Sequence, residues 1–274
     1  MSRTIGFTTI ALITSLAFPS TVKAATLNGG FEDGFNGWET IGDYRIETSA
    51  FGSGPVEGMS QAFLSTAYNE VIGLDEDFNT IIGGNAVPVT FISAFPSLEE
   101  FLGISTFFGD NSLDSIATAE PIEGSAIKQS FTAQAGQVLS FSWNFLTNES
   151  VEQAAVDDFT YPDFNDFAFV SIQSEQPNSS NQLISLADTG SNFSNSSTSF
   201  SNETGFRKFS YKVPTTGTYT LGIGVVDVGE PTRTSGVIVD NVDVPEPGSA
   251  LALLVGGALG TISMRRRGKK KTQR

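Results

Sequence analysis

The sequence contains no cysteine and no histidine, and each absence excludes a class of protein. Without cysteine there is no disulfide framework, so stability must come from a packed core or from bound ions. Zinc sites of the usual Cys/His kind cannot be built. Hydrolases that activate a serine or cysteine with a histidine base are also excluded. Any catalysis would have to use carboxylates, tyrosine, lysine or a metal ion held by oxygen atoms.

Positive charge is scarce in the middle of the chain. Positions 32–246 hold 30 acidic residues and only six basic ones, a net charge of −24, whereas positions 265–274 carry +7. A body this acidic repels phosphate backbones, because nucleic-acid binding requires clustered lysine and arginine. We therefore expect no nucleic-acid partner. Acidic surfaces suit solubility, divalent cations and neutral glycans instead.

Residues 1–24 have the pattern of a secretory signal peptide. Arg3 supplies a short positive region, the stretch 5–18 is apolar, and Val22 and Ala24 stand at the −3 and −1 positions of a small-residue cleavage site. A membrane helix is the alternative, but the apolar run is too short to favour it. We expect export through the secretory pathway, with cleavage after Ala24.

Residues 25–244 are predicted to form one all-β domain, a jelly-roll-like β-sandwich. Short apolar runs alternate with residues typical of turns, as in sandwich folds. In LSFSWNFL, which begins at Leu139, every second residue is apolar, so one face of this strand is buried. Trp143 lies on that face, and we expect both it and Trp38 to be core residues. The clearest predicted strands cover 131–132, 139–146, 167–172, 206–213, 218–228 and 236–244.

Two stretches interrupt the strand pattern. Residues 71–125 mix glycine, acidic residues and longer apolar pieces, and Ser97 with Glu100 has the capping-box spacing of a short helix. We predict an irregular, partly helical insertion that packs on the sandwich. Residues 174–204 are rich in serine and asparagine, and we predict a long surface segment there.

The chain ends in three distinct parts: a Pro-Glu-Pro triplet at 245–247, an uncharged and mostly apolar run at 249–264, and a basic end. The apolar run would form a helix about 24 Å long, and flanking arginines can snorkel to reach across a core of ~30 Å. We predict a transmembrane helix with the basic end in the cytoplasm. A buried C-terminal helix is the alternative, which the basic end disfavours.

This ending resembles the PEP-CTERM sorting signal, which joins a Pro-Glu-Pro triplet to an apolar helix and an arginine-rich end. The matching residues are Pro245, Glu246, Pro247, Arg265, Arg266 and Arg267. The resemblance implies export by a Gram-negative bacterium that makes exopolysaccharide, and processing of the tail by an exosortase. The protein would rest transiently in the inner membrane and then reach the cell surface or the extracellular space.

A second resemblance lies at the two ends of the domain. LNGGFEDGFNGWE, from Leu27 to Glu39, is similar to the first strand of jelly-roll carbohydrate-binding modules, and SGVIVDNVDV, from Ser235 to Val244, resembles their closing strand. In that family a glutamate of the first motif and an aspartate of the last commonly bind a structural calcium. The resemblance implies that Glu32 and Asp240 are calcium ligands.

The stretch 147–170 holds a further group of acidic and amide side chains. The strands that end at Leu146 and begin at Phe167 are predicted to pair, which would bring this group to one end of the sheet. Its members are Asn148, Glu149, Asn165 and Asp166, and the connecting loop adds Asp157, Asp158 and Asp163 with aromatic residues between them. Such oxygen ligands suit calcium, with Glu149 and Asp166 as a second candidate pair. An ordinary solvated loop with hydrophobic anchors is the other interpretation.

Taken together, these features predict an exported, non-enzymatic protein of the cell surface or extracellular matrix. Its role would be structural or polysaccharide-binding, with exopolysaccharide as a candidate ligand and calcium as a candidate structural ion. The alternative is an extracellular glycoside hydrolase, because two carboxylates are sufficient for that reaction. Nothing in the sequence singles out such a pair among the 30 acidic residues.

Overall fold

Short strands and turns make up most of the part of the chain that the computed structural model describes. It describes residues 28–74, 80–90, 96–104, 112–149, 164–176, 181–229 and 233–244, which belong to the compact unit Ala25–Pro247. The strands are β1 (Glu39–Ile41), β2 (Asp43–Glu47), β3 (Gln61–Ser65), β4 (Tyr68–Leu74), β5 (Thr80–Asn85), β6 (Val87–Pro88), β7 (Pro121–Ala133), β8 (Val138–Thr147), β9 (Phe167–Ser174), β10 (Gln182–Asp188), β11 (Ser194–Asn195), β12 (Asn202–Glu203), β13 (Arg207–Lys212), β14 (Gly217–Val228) and β15 (Ser235–Asp243). One α-helix, α1 (Leu98–Leu102), and the 3-10 turns Ser49–Phe51 and Leu113–Ser115 complete the described elements.

The larger strands form two antiparallel sheets. Sheet A has the order β1-β7-β14-β9-β10, with β6 beside β7. Sheet B has the order β11-β12-β8-β15-β3-β2, with β13 also paired to β8, while β4 and β5 form a separate hairpin. The prediction of an all-β sandwich is confirmed.

The main core lies between the two sheets and follows from the alternation in β8. Leu139, Phe141, Trp143 and Phe145 all face this core, where they meet apolar residues of β7, β9 and β14. Each buried large apolar side chain contributes roughly 1.5–3 kcal/mol to folding. Trp143 is 5% exposed and Trp38 is 7% exposed, so both tryptophans are core residues as predicted.

The insertion covers the outer face of sheet A. Leu98 and Leu102 of α1 belong to a second apolar cluster that includes Phe167 and Phe169 of β9. Ser97 caps α1, since its side chain accepts a hydrogen bond from the Glu100 N–H (3.1 Å). Helix α1 is the helical part of the predicted insertion, but the same stretch also contains most of the β4–β5 hairpin, strand β6 and the first residues of β7.

The predicted pairing of the strands on either side of residues 147–166 was wrong. Strand β8 lies in sheet B beside β15, whereas β9 lies in sheet A beside β14. The connection between them is far longer than a hairpin turn, so no local turn holds the two strands together.

Two further stretches differ from expectation. The stretch similar to a first strand forms consecutive turns over residues 28–37 instead. The predicted surface segment 174–204 contains β10, which pairs with β9 at the edge of sheet A. Local composition misses such a strand because its stability comes from its partner.

The predicted signal peptide, 1–24, and the predicted transmembrane helix, 249–264, lie outside the described residues. Across the part of the chain that the structure describes, no helix has the length and apolar character needed to cross a membrane.

Replacing Phe145 by alanine should remove one of the largest side chains of the inter-sheet core. We expect a loss of about 3–5 kcal/mol in the free energy of unfolding, measured by urea denaturation. Val138→Ala is the matched control, because Val138 lies on the same strand and is 47% exposed. It should cost less than about 1 kcal/mol; equal losses for the two variants would contradict the assigned core.

Candidate functional site

The side chain of Asp240, near the end of β15, binds backbone N–H groups at one end of loop 55–60. Its Oδ2 accepts hydrogen bonds from the N–H groups of Val56 (2.6 Å) and Glu57 (2.9 Å), and its Oδ1 accepts one from the Asn241 N–H (2.7 Å). The residue is fully buried. Burial raises the pKa of Asp240, and the three N–H donors oppose that rise.

Glu32 holds the other end of the same loop. Its Oε1 accepts hydrogen bonds from the N–H groups of Met59 (2.6 Å) and Ser60 (2.9 Å). We call Glu32, Asp240 and loop 55–60 the carboxylate clasp. Hydrogen bonds to a buried charged acceptor contribute about 1.5–3 kcal/mol each. Asp240 is buried and Glu32 is exposed, so the Asp240 bonds hold the loop more strongly than the solvent-screened bonds of Glu32.

A residue with left-handed backbone geometry adjoins each clasp carboxylate. Phe31 has φ 54° and Asn241 has φ 50°, values that non-glycine residues adopt at a cost of order 1–3 kcal/mol. The Phe31 ring is fully buried and lies 5.4 Å from the Trp38 ring. Core packing therefore stabilises the turn that aims Glu32 at the loop.

Gly29 explains how the opening segment reaches β15. The Val242 N–H donates to the Gly29 carbonyl (3.0 Å). A Cβ atom at position 29 would lie 1.9 Å from the Val242 carbonyl oxygen, so only glycine permits this approach. The two motifs that resemble carbohydrate-binding modules thus meet in space, although the first is not a strand.

A pocket of about 730 Å³ lies beside the clasp. Its walls carry three carboxylates and two amides, together with glycine backbone and Val242. The lining residues are Asn28, Gly29, Gly30, Glu32, Asp33, Asn36, Gly37, Glu57, Gly58 and Val242. Asp240 is not among them, so the two predicted calcium ligands share a loop but only Glu32 reaches the pocket.

The second candidate site lies where β15 begins, at the end opposite the clasp. Asp166, which precedes β9, is 1% exposed; its Oδ2 accepts from the Ser235 hydroxyl (2.6 Å) and its Oδ1 from the Val228 N–H (3.0 Å). The pKa of Asp166 is raised to about 7, chiefly by burial and also by the charges of Glu149 and Glu123, while the two hydrogen-bond donors oppose the rise. Glu123, Glu149 and Asp166 are the buried acidic cluster.

Glu123 of β7 is the least satisfied member of the buried acidic cluster. It is 3% exposed, and its Oε1 has no hydrogen-bond partner. Burial raises the pKa of Glu123 to about 7. Ser125, two residues on and therefore on the same face of the strand, donates to the Ser65 carbonyl of sheet B (2.6 Å). The Glu123 side chain thus lies between the two sheets.

The structure brings Glu149 and Asp166 together, although from opposite sheets and not from paired strands. The two predicted amides point elsewhere: Asn148 accepts from Ser201 (2.9 Å) and Asn165 accepts from Thr189 (2.7 Å). The loop residues Asp157, Asp158 and Asp163 lie outside the described residues.

Sequence reasoning missed Glu123 and its neighbour Asp227. Asp227 is 1% exposed and immediately precedes Val228, the donor to Asp166. The sequence pattern that could have identified them is a single acidic residue within a mostly apolar strand: Glu123 in PIEGSAI and Asp227 in GVVDV. Acidic side chains are almost never fully buried unless paired, so an acidic residue at a buried strand position is a candidate site residue.

Neither acidic site is a ready-made metal centre. Within the described ranges, no three acidic side chains are arranged as ligands of one ion. Calcium binding at Glu32 and Asp240, or at Glu149 and Asp166, remains a prediction.

A model of the PEP-CTERM protein-sorting motif matches residues 243–267, which confirms the resemblance of the ending to that sorting signal. The motif marks an exported protein whose tail is a substrate of an exosortase. Comparison with curated proteins gives no match.

Three solved structures show weak likeness to this chain. The carbohydrate-binding module TmCBM61, in complex with β-1,4-galactotriose, is 10% identical, with 80% of this chain and 96% of that chain covered and a TM-score of 0.38. The K1 cleaved adhesin domain of Lys-gingipain from Porphyromonas gingivalis W83 is 9% identical, with coverages of 77% and 92% and a TM-score of 0.35. A CBM4 chain is 13% identical, with coverages of 79% and 96% and a TM-score of 0.27. The sandwich assignment rests on the strand registers and not on these likenesses.

Asp240→Asn should weaken the clasp, because a neutral amide is a poorer acceptor and its NH₂ group would face N–H donors. We expect a loss of about 1–3 kcal/mol in the free energy of unfolding, with faster proteolysis within 55–60. Asp243→Asn is the control, since Asp243 lies on the same strand and is exposed. Unchanged stability of Asp240→Asn would show that the clasp does not hold the loop.

The raised pKa values of Glu123 and Asp166 predict that stability falls as pH rises. The ordinary pKa values of the two groups are 4.5 and 3.8, so the folded state binds more protons than the unfolded chain between about pH 4 and pH 7. In chelator, the melting temperature should therefore decrease from pH 5 to pH 8. Glu123→Gln should flatten this decrease, and a profile as steep as that of the unmodified protein would contradict the assignment.

Proposed function

We propose that this exported protein is non-enzymatic and acts at the cell surface or in the extracellular matrix, where it binds polysaccharide or has a structural role. The sorting motif supports export and tail processing. The predicted helix over 249–264 would hold the chain transiently in the inner membrane, with the C-terminus in the cytoplasm, until the exosortase acts.

The pocket beside the clasp is the observation that carries the binding proposal. Amide and carboxylate groups there can hydrogen-bond to sugar hydroxyls, and glycine backbone allows a ligand to approach closely. Glu32, Asp33 and Glu57 make the pocket acidic, so it should reject anionic glycans and accept neutral ones. The clasp fixes the loop that supplies Glu57 and Gly58, which lowers the entropy cost of binding.

We place the candidate calcium in the same pocket. Carboxylate and amide oxygens are the ligands that Ca²⁺ prefers, and the pocket lining contains both: the carboxylates of Glu32, Asp33 and Glu57 and the amides of Asn28 and Asn36. Glu32 would use Oε2, since Oε1 accepts from the clasp. Asp240 would act indirectly by holding Glu57. Such an ion would offset the repulsion between these carboxylates.

A glycoside hydrolase is the second candidate, because three carboxylates line one pocket. A general acid in such an enzyme requires a raised pKa. Among the described residues, the carboxyls whose pKa burial raises to about 7 are Glu99, Glu123 and Asp166, and none of these three lines the pocket. Binding is therefore the better supported function.

Substitutions at Gly30 test the binding proposal. Gly30 lines the pocket, has no positive φ, and a Cβ atom there would be 3.9 Å from its nearest neighbour. Gly30→Tyr should therefore fill the pocket without backbone strain, while Gly30→Ala leaves it open. Against a panel of neutral polysaccharides, measured by calorimetry, we expect at least about tenfold weaker binding for the tyrosine variant, or roughly 1.4 kcal/mol.

The same samples separate the alternatives. Equal binding by both Gly30 variants would remove the pocket as the glycan site, and no binding to any glycan would leave a purely structural role. Release of reducing ends, abolished by Gly30→Tyr, would establish the hydrolase instead.

A further inference from the structure

We propose that strand β13 is a docking surface for a polysaccharide that carries carboxylate groups. The groups that would meet those carboxylates are the side chains of Lys208 and Lys212, with Ser210 between them. We call Lys208, Ser210 and Lys212 the basic strip. The basic strip shares no residue with the pocket, which we expect to take neutral glycans, so this site does not depend on the pocket.

The distribution of positive charge is the first reason. Residues 32–246 hold only six basic side chains against 30 acidic ones. Three of the six, Arg207, Lys208 and Lys212, lie within the six residues of β13. Within a body whose net charge is −24, this one strand therefore concentrates half of the positive charge.

The cations of β13 also differ from Arg45 and Lys128 in their partners. Arg45 and Lys128 each lie within 4 Å of a carboxylate. In the part of the chain that the structure describes, no carboxylate lies this close to Arg207, Lys208 or Lys212. The charge of β13 is therefore left without a described anionic partner, and an external anion can supply one.

The alternation of β13 directs the basic strip away from the core. Phe209 packs on Phe141 of the inter-sheet core, with ring centroids 5.0 Å apart. Side chains alternate along a strand, so Lys208, Ser210 and Lys212 lie on the opposite, outer face of sheet B, and all three are exposed. The two lysines are about 13–14 Å apart along the strand, which gives the basic strip the linear form that a linear polymer requires.

Neutral side chains separate the basic strip from the acidic residues of sheet B. Ser140 and Ser142 of β8 pair with β13 on one side and with β15 on the other. The β15 carboxylates opposite them, Asp240 and Asp243, lie two strand spacings from β13, or about 9–10 Å. Asp240 is buried and accepts backbone N–H groups, and at this distance physiological salt screens much of the charge of Asp243.

The composition of the basic strip favours a polysaccharide over a protein or a nucleic acid. Protein interfaces are centred on apolar and aromatic side chains and are depleted in lysine. Nucleic acids require denser clusters of lysine and arginine, and the surrounding acids would repel their closely spaced phosphates. A carboxylated polysaccharide carries its charges further apart. Its hydroxyls can also bond to Ser210 and to the edge of β13 away from β8, which has no partner among the described strands.

The test measures binding of the full-length protein to polygalacturonate by calorimetry. All samples carry glutamine in place of the seven basic residues of 265–274, because that end would bind any polyanion. Lys208→Gln combined with Lys212→Gln should weaken binding at least about tenfold. Raising the salt concentration from ~0.05 to ~0.15 M should weaken binding by the unmodified strand at least about threefold, since the attraction is between exposed charges.

Two controls separate charge at β13 from charge in general. Lys208→Arg combined with Lys212→Arg keeps both charges and should retain binding. Lys128→Gln removes one charge from a lysine that already has an acidic partner, so it should bind as the unmodified protein does, whereas Lys208→Gln alone should not. Gly30→Tyr should leave polygalacturonate binding unchanged, which separates failure of this proposal from failure of the pocket.

Equal binding by the double glutamine variant and the unmodified protein would overturn the proposal. If that variant self-associates but still binds polygalacturonate, the lysines only protect an edge strand from pairing with another copy. Tighter binding to single-stranded DNA than to polygalacturonate at the same salt concentration would exclude a polysaccharide as the preferred ligand.

Discussion

The carboxylate clasp is the interaction on which the candidate site depends. Two acidic side chains from opposite ends of the domain, Glu32 and Asp240, accept four N–H groups of a single surface loop. That loop contributes Glu57 and Gly58 to the pocket wall, and the turn that carries Glu32 contributes Asp33. Without the clasp, the pocket would lose the fixed positions of both walls.

Strand β15 runs from one acidic site to the other, and the buried carboxylates of the two sites are satisfied in different ways. Asp240 satisfies its buried charge with backbone N–H groups, whereas Asp166 has two neutral donors and two acidic neighbours. A body with a charge of −24 has few basic side chains to spare for buried partners.

Part of the fold was readable from the sequence because strand β8 alternates strictly. The alternation around Phe141 and Trp143 predicted both the strand and its buried face, and Ser97 predicted the start of α1. Long-range pairing was not readable, since β8 and β9 lie in different sheets with no short turn to fix them. Glu123 was missed for a related reason: its importance comes from residues brought to it by the opposite sheet and by β9.

The clasp itself can be measured directly by hydrogen exchange at the amides of Val56, Glu57, Met59 and Ser60. Val56 is 47% exposed and Met59 is 75% exposed, so ordinary surface-loop amides at these positions would exchange rapidly. If the clasp holds the loop, all four amides are protected to a degree similar to those of β15. Exchange at the rate of an unstructured peptide would contradict the clasp.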